Sequence, residues 1–256
     1  MLSYQHAYHA GNLADVHKHS MLSWVLSYLT NKDKPLSYIE THGGRGHYDL
    51  AGVEAQKTGE AAQGITRAKD WFASDHPYRR VLTCVATRYG SAAYPGSPLI
   101  AHTLLRREDA IDVAELHPAE YEALRQVLPR GSCHRQDGFE RAHSLIPPTP
   151  RRGLILIDPS FEVKSDYDVI PGHIRKWHKA WNVGIIILWY PILTSRAHAP
   201  MTSTLRRDHP EAMHHEVRFP PARPGHGMVG SGMFVVNPPY GLSEEAARLK
   251  QHFDGL

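Results

Sequence analysis

Short apolar runs alternate along the chain with stretches of helical periodicity. Apolar side chains recur at three- and four-residue intervals over residues 13–29, which predicts an amphipathic helix. Two uninterrupted apolar runs, at 153–157 and 183–189, are bounded by turn residues and predict strands that are buried on both faces. The other predicted strands cover residues 36–40, 111–115, 132–136, 213–219 and 232–236. Further helices are predicted at residues 118–128 and 167–181.

This alternation predicts an α/β fold with a doubly wound, Rossmann-like sheet of seven mostly parallel strands. Residues 48–110 are too long for one crossover and lack a clear strand, so we expect a helical insertion subdomain within a single domain of residues 1–256. The proline-rich segment 146–152 is expected to be a stiff connector. Sheets of this kind bind ligands beyond the carboxyl ends of their strands, where the strand order changes direction. The residues that follow each strand are therefore the candidate site residues.

The composition is that of a globular protein. Of 256 residues, 41% are hydrophobic and 21% are charged, which excludes a disordered or fibrous chain. The longest apolar stretch, residues 183–193, is far shorter than the ~18–20 residues of a spanning helix, so we do not expect a membrane protein. The N-terminal residues show no signal-peptide pattern, which makes the cytoplasm the expected location. Two cysteines, Cys84 and Cys133, are too few for a disulfide scaffold or a cysteine zinc site.

The charge of the chain is mildly basic. The formal net charge is +3 with histidine neutral, which permits a polyanionic partner without requiring one. Arginine also occurs in pairs that could form a local phosphate-binding face or could simply be solvated. These pairs are Arg79-Arg80, Arg106-Arg107, Arg151-Arg152 and Arg206-Arg207. The 19 histidines predict a protein that becomes more cationic below about pH 6.5.

Glycines and acids follow the first three strands of the predicted sheet. THGGRG at 41–46 places three glycines in four positions, which allows a tight turn and a close approach to a ligand. It lacks the spacing of a dinucleotide-binding or phosphate-binding loop, so a plain strand-to-helix turn is an open alternative. Glu115 follows the second strand, where a carboxylate commonly binds a ribose diol but could also cap a helix. Asp137-Gly138 follows the third strand and by itself is typical of an ordinary turn.

The sequence DPSF at 158–161 follows the fourth strand. The Asp158 carboxylate and the Pro159 carbonyl can accept hydrogen bonds from an amino group, and the Phe161 ring can stack on a base. DPSF is similar to the Asp/Asn/Ser-Pro-Pro-aromatic motif of amino-group methyltransferases, with serine in place of the second proline. NPPY at 237–240 matches that motif better, but it follows the last strand, which runs antiparallel in this class of sheet and ends at the opposite edge. We therefore assign the amino-group acceptor to Asp158.

A series of motifs resembles the RlmJ family, whose members are adenine-N6 methyltransferases that act on 23S ribosomal RNA with S-adenosylmethionine. They are, in order, MLSYQHAYHAGNLADVHKHS, THGGRGHYDL, KTGE, YPGSPLIA, AELHP, QDGF, RRGLILIDPSFE, LWYPI and SGMFVVNPP. They run from residue 1 to about residue 240, so the resemblance covers nearly the whole chain. It implies a Rossmann-like class I methyltransferase fold with a helical insertion, S-adenosyl-L-methionine as the methyl donor and ribosomal RNA as the partner. No obligatory protein partner and no membrane are implied.

The resemblance also implies roles for individual residues. Asp158 is the catalytic acceptor of the amino group. Contacts with S-adenosylmethionine are implied for His19, His42, Ser97, Glu115, Asp137, Gly138 and Asp158. Contacts with the RNA substrate are implied for Tyr4, Lys18, Pro159 and Phe161, and no metal site is implied. The family usually has DPPY where this chain has DPSF, which loosens the turn and removes a ring hydroxyl. Stacking is expected to survive because it needs only the ring, so the departure bears on the catalytic rate and the substrate and not on the fold.

The residues alone leave two other functions open. Five potential metal ligands lie within 14 residues of one another, namely His6, His9, Asp15, His17 and His19. They could serve a metal-dependent nuclease or phosphohydrolase, but only Asp15 and His19 have the spacing of one helix face. A non-catalytic nucleic-acid-binding protein would explain the arginine pairs, but not the ordered acids after the strands. A binding assay with the methyl donor distinguishes the non-catalytic binding protein from a methyltransferase, and metal analysis distinguishes the metal-dependent hydrolase.

Overall fold

The structure, a computed structural model, describes residues 5–223 and 225–256, so Tyr4 lies outside the described residues. Its strands are β1 (Ser37–Glu40), β2 (His47–Asp49), β3 (Ala93–Pro95), β4 (Ala110–Ala114), β5 (Ser132–His134), β6 (Gly153–Ile157), β7 (Ile185–Leu193), β8 (Met213–Arg218) and β9 (Met228–Val236). Seven of them form one sheet in the order β5-β4-β1-β6-β7-β9-β8, and β2 and β3 form a small sheet of their own.

The large sheet is parallel except at its last strand. β9 pairs antiparallel with both β7 and β8, whereas the other pairs are parallel. This confirms the predicted seven-stranded, mostly parallel sheet. β1 pairs with β4 on one side and with β6 on the other, so the strand order changes direction at β1. We call the edge formed by the carboxyl ends of the parallel strands the site edge.

Helices cover both faces of the sheet. They are α1 (Leu13–Thr30), α2 (Val53–Thr58), α3 (Glu60–Gln63), α4 (Ile65–Ala68), α5 (Pro77–Tyr89), α6 (Ser97–Leu104), α7 (Pro118–Val127), α8 (Gly138–Leu145), α9 (Asp166–Ala180), α10 (Ala199–Asp208) and α11 (Leu242–Asp254). Within the described ranges, none of them has the length and apolar character needed to cross a membrane.

The sheet separates two hydrophobic cores. Successive residues of β6 point to opposite faces: Leu154 and Leu156 join the core that includes α1, whereas Ile155 and Ile157 join the core that includes α9. All five residues of β6 are buried, as the continuous apolar run predicts.

Helix α1 occupies the predicted position but is not amphipathic, because residues 13–23 are all buried. The helix contacts the sheet at β9 and is also covered by α5, α6 and α11, so no face of this part reaches solvent. Asn12 caps the helix: its side-chain oxygen accepts a hydrogen bond from the Asp15 amide at 2.9 Å. The polar residues inside α1 are therefore placed in the protein interior, where each needs a partner.

The stretch predicted as a helical insertion contains α2 to α6. The expectation that it lacks a strand was wrong at Ala93–Pro95, where β3 pairs antiparallel with β2. A strand of three residues is too short to show a period of two in the sequence. The division of the chain at residues 48–110 stays a prediction.

Candidate active site

The site edge brings together the acids that follow separate strands. Asp158 follows β6, Glu115 follows β4 and Asp137 follows β5 by three residues. Glu40 is the last residue of β1, between β4 and β6. The four carboxyl groups therefore lie along the carboxyl ends of neighbouring strands, on both sides of the point where the strand order changes direction.

A buried lysine holds the Asp158 carboxylate. Lys18 Nζ lies 2.6 Å from Asp158 Oδ2 and 3.2 Å from Asp15 Oδ1, and Lys18 is only 4% exposed. Asp15 Oδ2 also accepts hydrogen bonds from His6 Nε2 at 2.8 Å and from the Gly11 amide at 2.9 Å. Lys18 thus bridges two carboxylates in the protein interior, and the structure places this predicted substrate contact directly beside the predicted acceptor.

Burial and neighbouring charges act in opposite directions on the pKa values of these groups. Burial raises the pKa of Asp158, and the Lys18 ammonium offsets only part of this effect. Burial lowers the pKa of Lys18, but Asp158 and Asp15 outweigh it, so that the net pKa is above the ordinary value. Burial raises the pKa of Asp15, but His6 and Lys18 bring the net pKa well below its usual range. Lys18 is therefore charged, and Asp15 ionised, at neutral pH.

Glu40 also lies at the site edge, although no sequence motif indicates it. Its carboxyl group is 1% exposed, accepts a 2.7 Å hydrogen bond from the Tyr38 hydroxyl and accepts another from the Ser97 hydroxyl. Burial raises the pKa of Glu40 to about 8, although both hydrogen bonds act in the opposite direction. Ser97, a predicted cofactor contact, is therefore beside β1 at the site edge. In the sequence, only its position could have identified Glu40: it is the last residue of a predicted strand and a glycine-rich turn follows it.

The glycine-rich turn after β1 packs against the neighbouring strand ends. The Gly44 amide donates a 2.8 Å hydrogen bond to Glu115 Oε2, and Glu115 Oε1 accepts another from the His117 amide at 2.7 Å. Gly44 has a φ of 58°, a left-handed conformation that favours glycine. Burial raises the pKa of Glu115, and these two amides lower it only in part. The hydrogen bond between Gly44 and Glu115 therefore fixes the position of both the turn and the carboxylate.

Asp137 and Gly138 begin helix α8. Asp137 Oδ1 accepts hydrogen bonds from the Phe139 amide at 2.9 Å and the Glu140 amide at 3.0 Å, so it is the helix cap. A side chain at Gly138 would place its Cβ 1.9 Å from the carbonyl oxygen of Thr41, so only glycine fits here. The pair therefore has a structural role in joining α8 to the turn after β1, and its predicted contact with the cofactor stays a prediction.

The two histidines that were predicted to contact the cofactor differ in their surroundings. His19 is 1% exposed, its Nδ1 lies 2.8 Å from the Tyr94 hydroxyl, and burial lowers its pKa to about 3. His42 lies in the turn after β1, packs edge-on against Phe139 at 5.3 Å between ring centroids, and has its pKa lowered by burial to about 4. Both rings are neutral at pH 7. His42 is at the site edge, whereas His19 is enclosed by protein.

The aromatic part of DPSF is packed inside the protein. Phe161 is 6% exposed, and its ring lies 4.6 Å from Tyr167 and 6.2 Å from Trp189, measured between centroids. Stacking of Phe161 on a base, as predicted, would need an open face of its ring, and Tyr167 and Trp189 both lie beside that ring. Trp189 also contacts Lys18, whose Nζ lies 5.3 Å from the Trp189 ring centroid. Pro159 is buried beside Asp158.

The competing motif NPPY lies at the opposite edge. The Asn237 amide group donates hydrogen bonds to the carbonyl oxygens of Asn182 at 2.9 Å and Gly184 at 2.8 Å, which precede β7. These bonds place Asn237 at the amino end of a parallel strand. The antiparallel direction of β9 therefore separates Asn237 from Asp158.

Several of the paired arginines serve as structural donors. Arg106 donates to the carbonyl oxygens of Lys32 and Lys34, and Arg152 donates to those of Lys34 and Leu29. All these residues precede β1, β4 or β6, so the contacts lie at the edge opposite the site. These arginines stabilise the chain there and do not form a phosphate-binding face at the site edge.

The proposed metal ligands of the N-terminal region are bonded to other side chains of the protein. His17 Nδ1 lies 2.9 Å from Ser231 Oγ and His17 Nε2 lies 2.9 Å from His215 Nδ1, whereas His6 is bound to Asp15. Over residues 5–223 and 225–256, no group of three or more histidine, cysteine or acidic side chains is arranged to hold a metal ion.

Comparisons with known proteins agree with this architecture. The family described as "Ribosomal RNA large subunit methyltransferase D, RlmJ" matches residues 33–254. The chain is 39% identical over 254 residues to "Ribosomal RNA large subunit methyltransferase J" of Escherichia coli strain K12, covering 96% of this chain and 90% of that protein. It is 38% identical to the protein of the same name from Haemophilus influenzae, with the same coverage. A crystal structure of a Legionella pneumophila protein has a TM-score of 0.84 at 34% identity and covers 95% of this chain and 92% of its own. The chain therefore belongs to the RlmJ family of ribosomal RNA large subunit methyltransferases.

Proposed function

We propose that this protein transfers a methyl group from S-adenosylmethionine to the N6 amino group of an adenine in 23S ribosomal RNA. The family membership supports the reaction class, and the position of Asp158 supports the chemistry. Asp158 lies at the carboxyl end of β6, beside β1, and its Oδ2 is bound by Lys18. Lys18 donates to Oδ2 alone, and in this proposal Oδ1 is the oxygen that accepts the hydrogen bond from the amino group.

The residues at the site edge fit a donor that carries a nucleoside and an amino acid. The turn at 41–46 brings glycine backbone to the end of β1, and Glu115 and Asp137 offer carboxylates beyond the two strands on that side. Such a donor supplies a methyl group that is already activated on a sulfonium, so no metal is needed. The predicted cofactor contacts at His19, His42, Ser97, Glu115, Asp137, Gly138 and Asp158 remain part of this proposal.

The role of Asp158 follows from the weak nucleophilicity of an aromatic amine. The lone pair of adenine N6 is delocalised into the ring, and hydrogen bonds from its protons favour a more localised lone pair. Asp158 Oδ1 and the Pro159 carbonyl oxygen would accept those hydrogen bonds. Lys18 holds the other carboxylate oxygen in a fixed direction, so the amine is aligned for in-line transfer, which can lower the barrier by several kcal/mol. Lys18 therefore orients the acceptor in this mechanism.

The target base must leave its stack to reach Asp158. A loop or single-stranded segment of RNA is easier to open than a duplex, and an aromatic side chain can replace the lost stacking. We keep Tyr4 and Phe161 as the proposed contacts with the base. We also propose that ribosomal RNA is the partner and that the protein acts in the cytoplasm.

Two matched variants test the assignment. Asp158→Ala should bind S-adenosylmethionine in calorimetric titration but transfer little methyl to an unmodified 23S ribosomal RNA transcript. Asn237→Ala should retain transfer, since Asn237 binds carbonyl groups at the opposite edge. Full activity of Asp158→Ala together with loss of activity in Asn237→Ala would reverse the assignment of the acceptor.

A further inference from the structure

Three residues of the motifs that carry the resemblance have no part in the proposed chemistry. They are His17 of VHKHS, Trp189 of LWYPI and Ser231 of SGMF. Trp189 and Ser231 lie on the neighbouring strands β7 and β9, and His17 lies on helix α1, which contacts β9. His17 and Ser231 are completely buried, so their polar atoms need partners inside the protein.

These partners form a series of hydrogen bonds that we call the Trp189 relay. The Trp189 indole Nε1 donates to Ser231 Oγ at 2.9 Å, and the same oxygen lies 2.9 Å from His17 Nδ1. His17 Nε2 lies 2.9 Å from Nδ1 of His215, a residue of β8. The relay therefore connects α1 to three neighbouring strands through four side chains.

The Trp189 relay has a single direction. An indole N–H can only donate, so Ser231 Oγ accepts from Trp189 and gives its own hydrogen to His17 Nδ1. The ring hydrogen of a neutral His17 is then on Nε2 and is donated to His215. Burial lowers the pKa of both histidines, to about 4 for His215, so both rings are neutral at pH 7 and the direction is kept.

Trp189 connects this relay to the proposed acceptor. Its ring centroid lies 5.3 Å from Lys18 Nζ, and Lys18 Nζ lies 2.6 Å from Asp158 Oδ2. The face of an indole ring attracts an ammonium group, most strongly where water is excluded, and Lys18 is only 4% exposed. The ring therefore limits the positions that the ammonium can take, and Ser231 limits the positions of the ring.

We propose that Ser231 and His17 are positioning residues for the Trp189 ring. The ring, held in this way, keeps Lys18 on one oxygen of Asp158. The proposal rests on the proposed function, in which the other oxygen of Asp158 accepts the amino group of the target base. When the ring is released, Lys18 keeps its carboxylate partners but the direction of the Asp158 carboxylate is less well defined. Misalignment of the reacting groups lowers kcat, whereas binding of RNA and of S-adenosylmethionine is unaffected.

The first test measures the Trp189 relay through the indole N–H signal of Trp189 in a nitrogen–hydrogen correlation NMR spectrum. The protein has five tryptophans, and the signal that disappears in Trp189→Phe belongs to Trp189. Ser231→Ala should shift this signal and make its hydrogen exchange faster by about tenfold or more. Ser23→Ala is the control, because Ser23 is a buried serine of α1 whose hydroxyl has no partner within the described ranges. A signal that Ser231→Ala leaves unchanged would overturn the proposal whether or not the protein methylates RNA.

The contact between the ring and Lys18 is tested without changing either residue. The unsubstituted protein should show a nuclear Overhauser effect between ring hydrogens of Trp189 and the methylene next to the Lys18 ammonium. The effect should be at least about twofold weaker in Ser231→Ala and unchanged in Ser23→Ala. Its absence from the unsubstituted protein, or equal strength in Ser231→Ala, would overturn the link between Ser231 and Lys18.

The consequence for the reaction is measured with a 23S ribosomal RNA transcript. Ser231→Ala should lower kcat by about tenfold, with KM for the RNA and the dissociation constant for S-adenosylmethionine within about twofold of the unsubstituted values. Ser23→Ala should keep kcat within about twofold. A higher KM for the RNA at unchanged kcat would mean that Trp189 acts on RNA binding and not on Lys18, which would overturn the proposal.

A double substitution separates positioning from a general loss of stability. Trp189→Phe keeps a ring beside Lys18 but has no N–H to bind Ser231. In this background, Ser231→Ala should lower kcat by less than about twofold more, because the hydrogen bond is already lost. Losses in kcat that multiply would show that Ser231 acts only on stability. Absence of transfer by the unsubstituted protein would instead refute the proposed function, and the two NMR measurements would still decide whether Ser231 holds the ring on Lys18.

Discussion

Protonation of Glu40 should make the stability of the protein depend on pH. The folded pKa of this carboxyl is about 8, raised by burial from 4.5, so between these values the folded state holds a proton that the unfolded chain has lost. The contribution of Glu40 to stability is then fully present below pH 4.5 and is lost as the pH rises through 8. The slope is about 1.4 kcal/mol per pH unit, or about 2.5 kcal/mol between roughly pH 5.5 and 7.5.

The variant Glu40→Gln isolates this effect, because glutamine keeps the shape of the side chain and stays neutral. Urea unfolding of both proteins at several pH values gives the difference in their free energies of unfolding. Buried histidines such as His19 and His42, with pKa values of about 3 and 4, titrate in both proteins and cancel. The variant should gain about 2.5 kcal/mol relative to the unsubstituted protein as the pH rises from about 5.5 to 7.5. A difference that stays constant within about 0.5 kcal/mol would mean that Glu40 is ionised in the folded protein, and the reasoning would fail.

Three further substitutions test other parts of the site. Lys18→Met should lower the free energy of unfolding by about 3–5 kcal/mol, since it leaves two buried carboxylates without a cation. It should also move the acid limb of the pH–rate profile to higher pH by raising the pKa of Asp158, and an unshifted limb would contradict this. Gly138→Ala forces a Cβ against the Thr41 carbonyl oxygen, so we expect about 1–3 kcal/mol of destabilisation. Calorimetric titration should also show weaker binding of S-adenosylmethionine. Melting and binding equal to those of the unsubstituted protein would refute the close approach. Asn237→Ala should melt earlier, with about 1–2 kcal/mol lost with its two hydrogen bonds, and a stability equal to that of the unsubstituted protein would refute their role.

The fold was predictable from sequence where burial is complete. The apolar run at 153–157 gives the bounds of β6 because all five residues are buried. The end of β7 was predicted too early because Pro191 interrupts the apolar run. The strand continues to Leu193, since β6 pairs with β7 only as far as Leu188, and a proline is tolerated where one side has no partner strand.

The start of β9 was predicted too late for a related reason. Glycines are depleted in strands, so Gly232 marked the beginning of the predicted strand, whereas β9 begins at Met228. A Cβ at Gly232 would lie 2.1 Å from the Tyr190 ring, which crosses this position to reach Glu216 on β8. The glycine is required by a side chain on the neighbouring strand, and sequence periodicity carries no sign of that contact.

The sequence predicts only those residues of the candidate site that follow a predicted strand. Asp158, Glu115 and Asp137 could be selected because each follows a predicted strand. The link between Lys18 and Asp158 joins residues 140 positions apart, and no local pattern indicates it. The burial of His19 was also hidden, because it depends on the insertion helices that cover α1. Residue types and strand order thus identify the sheet edge where the candidate site lies. They do not identify the residues that bind or bury the site residues and so change their pKa values.

The most direct test of the proposed function is nucleoside analysis by mass spectrometry of an unmodified 23S ribosomal RNA transcript after incubation with the protein and S-adenosylmethionine. We predict one product, N6-methyladenosine, formed by the unsubstituted protein and not by Asp158→Ala. A methyl group on a ring carbon, on a ribose oxygen or on another base would contradict the role of Asp158 as the acceptor of an adenine amino group, and so would equal yields of N6-methyladenosine from both proteins.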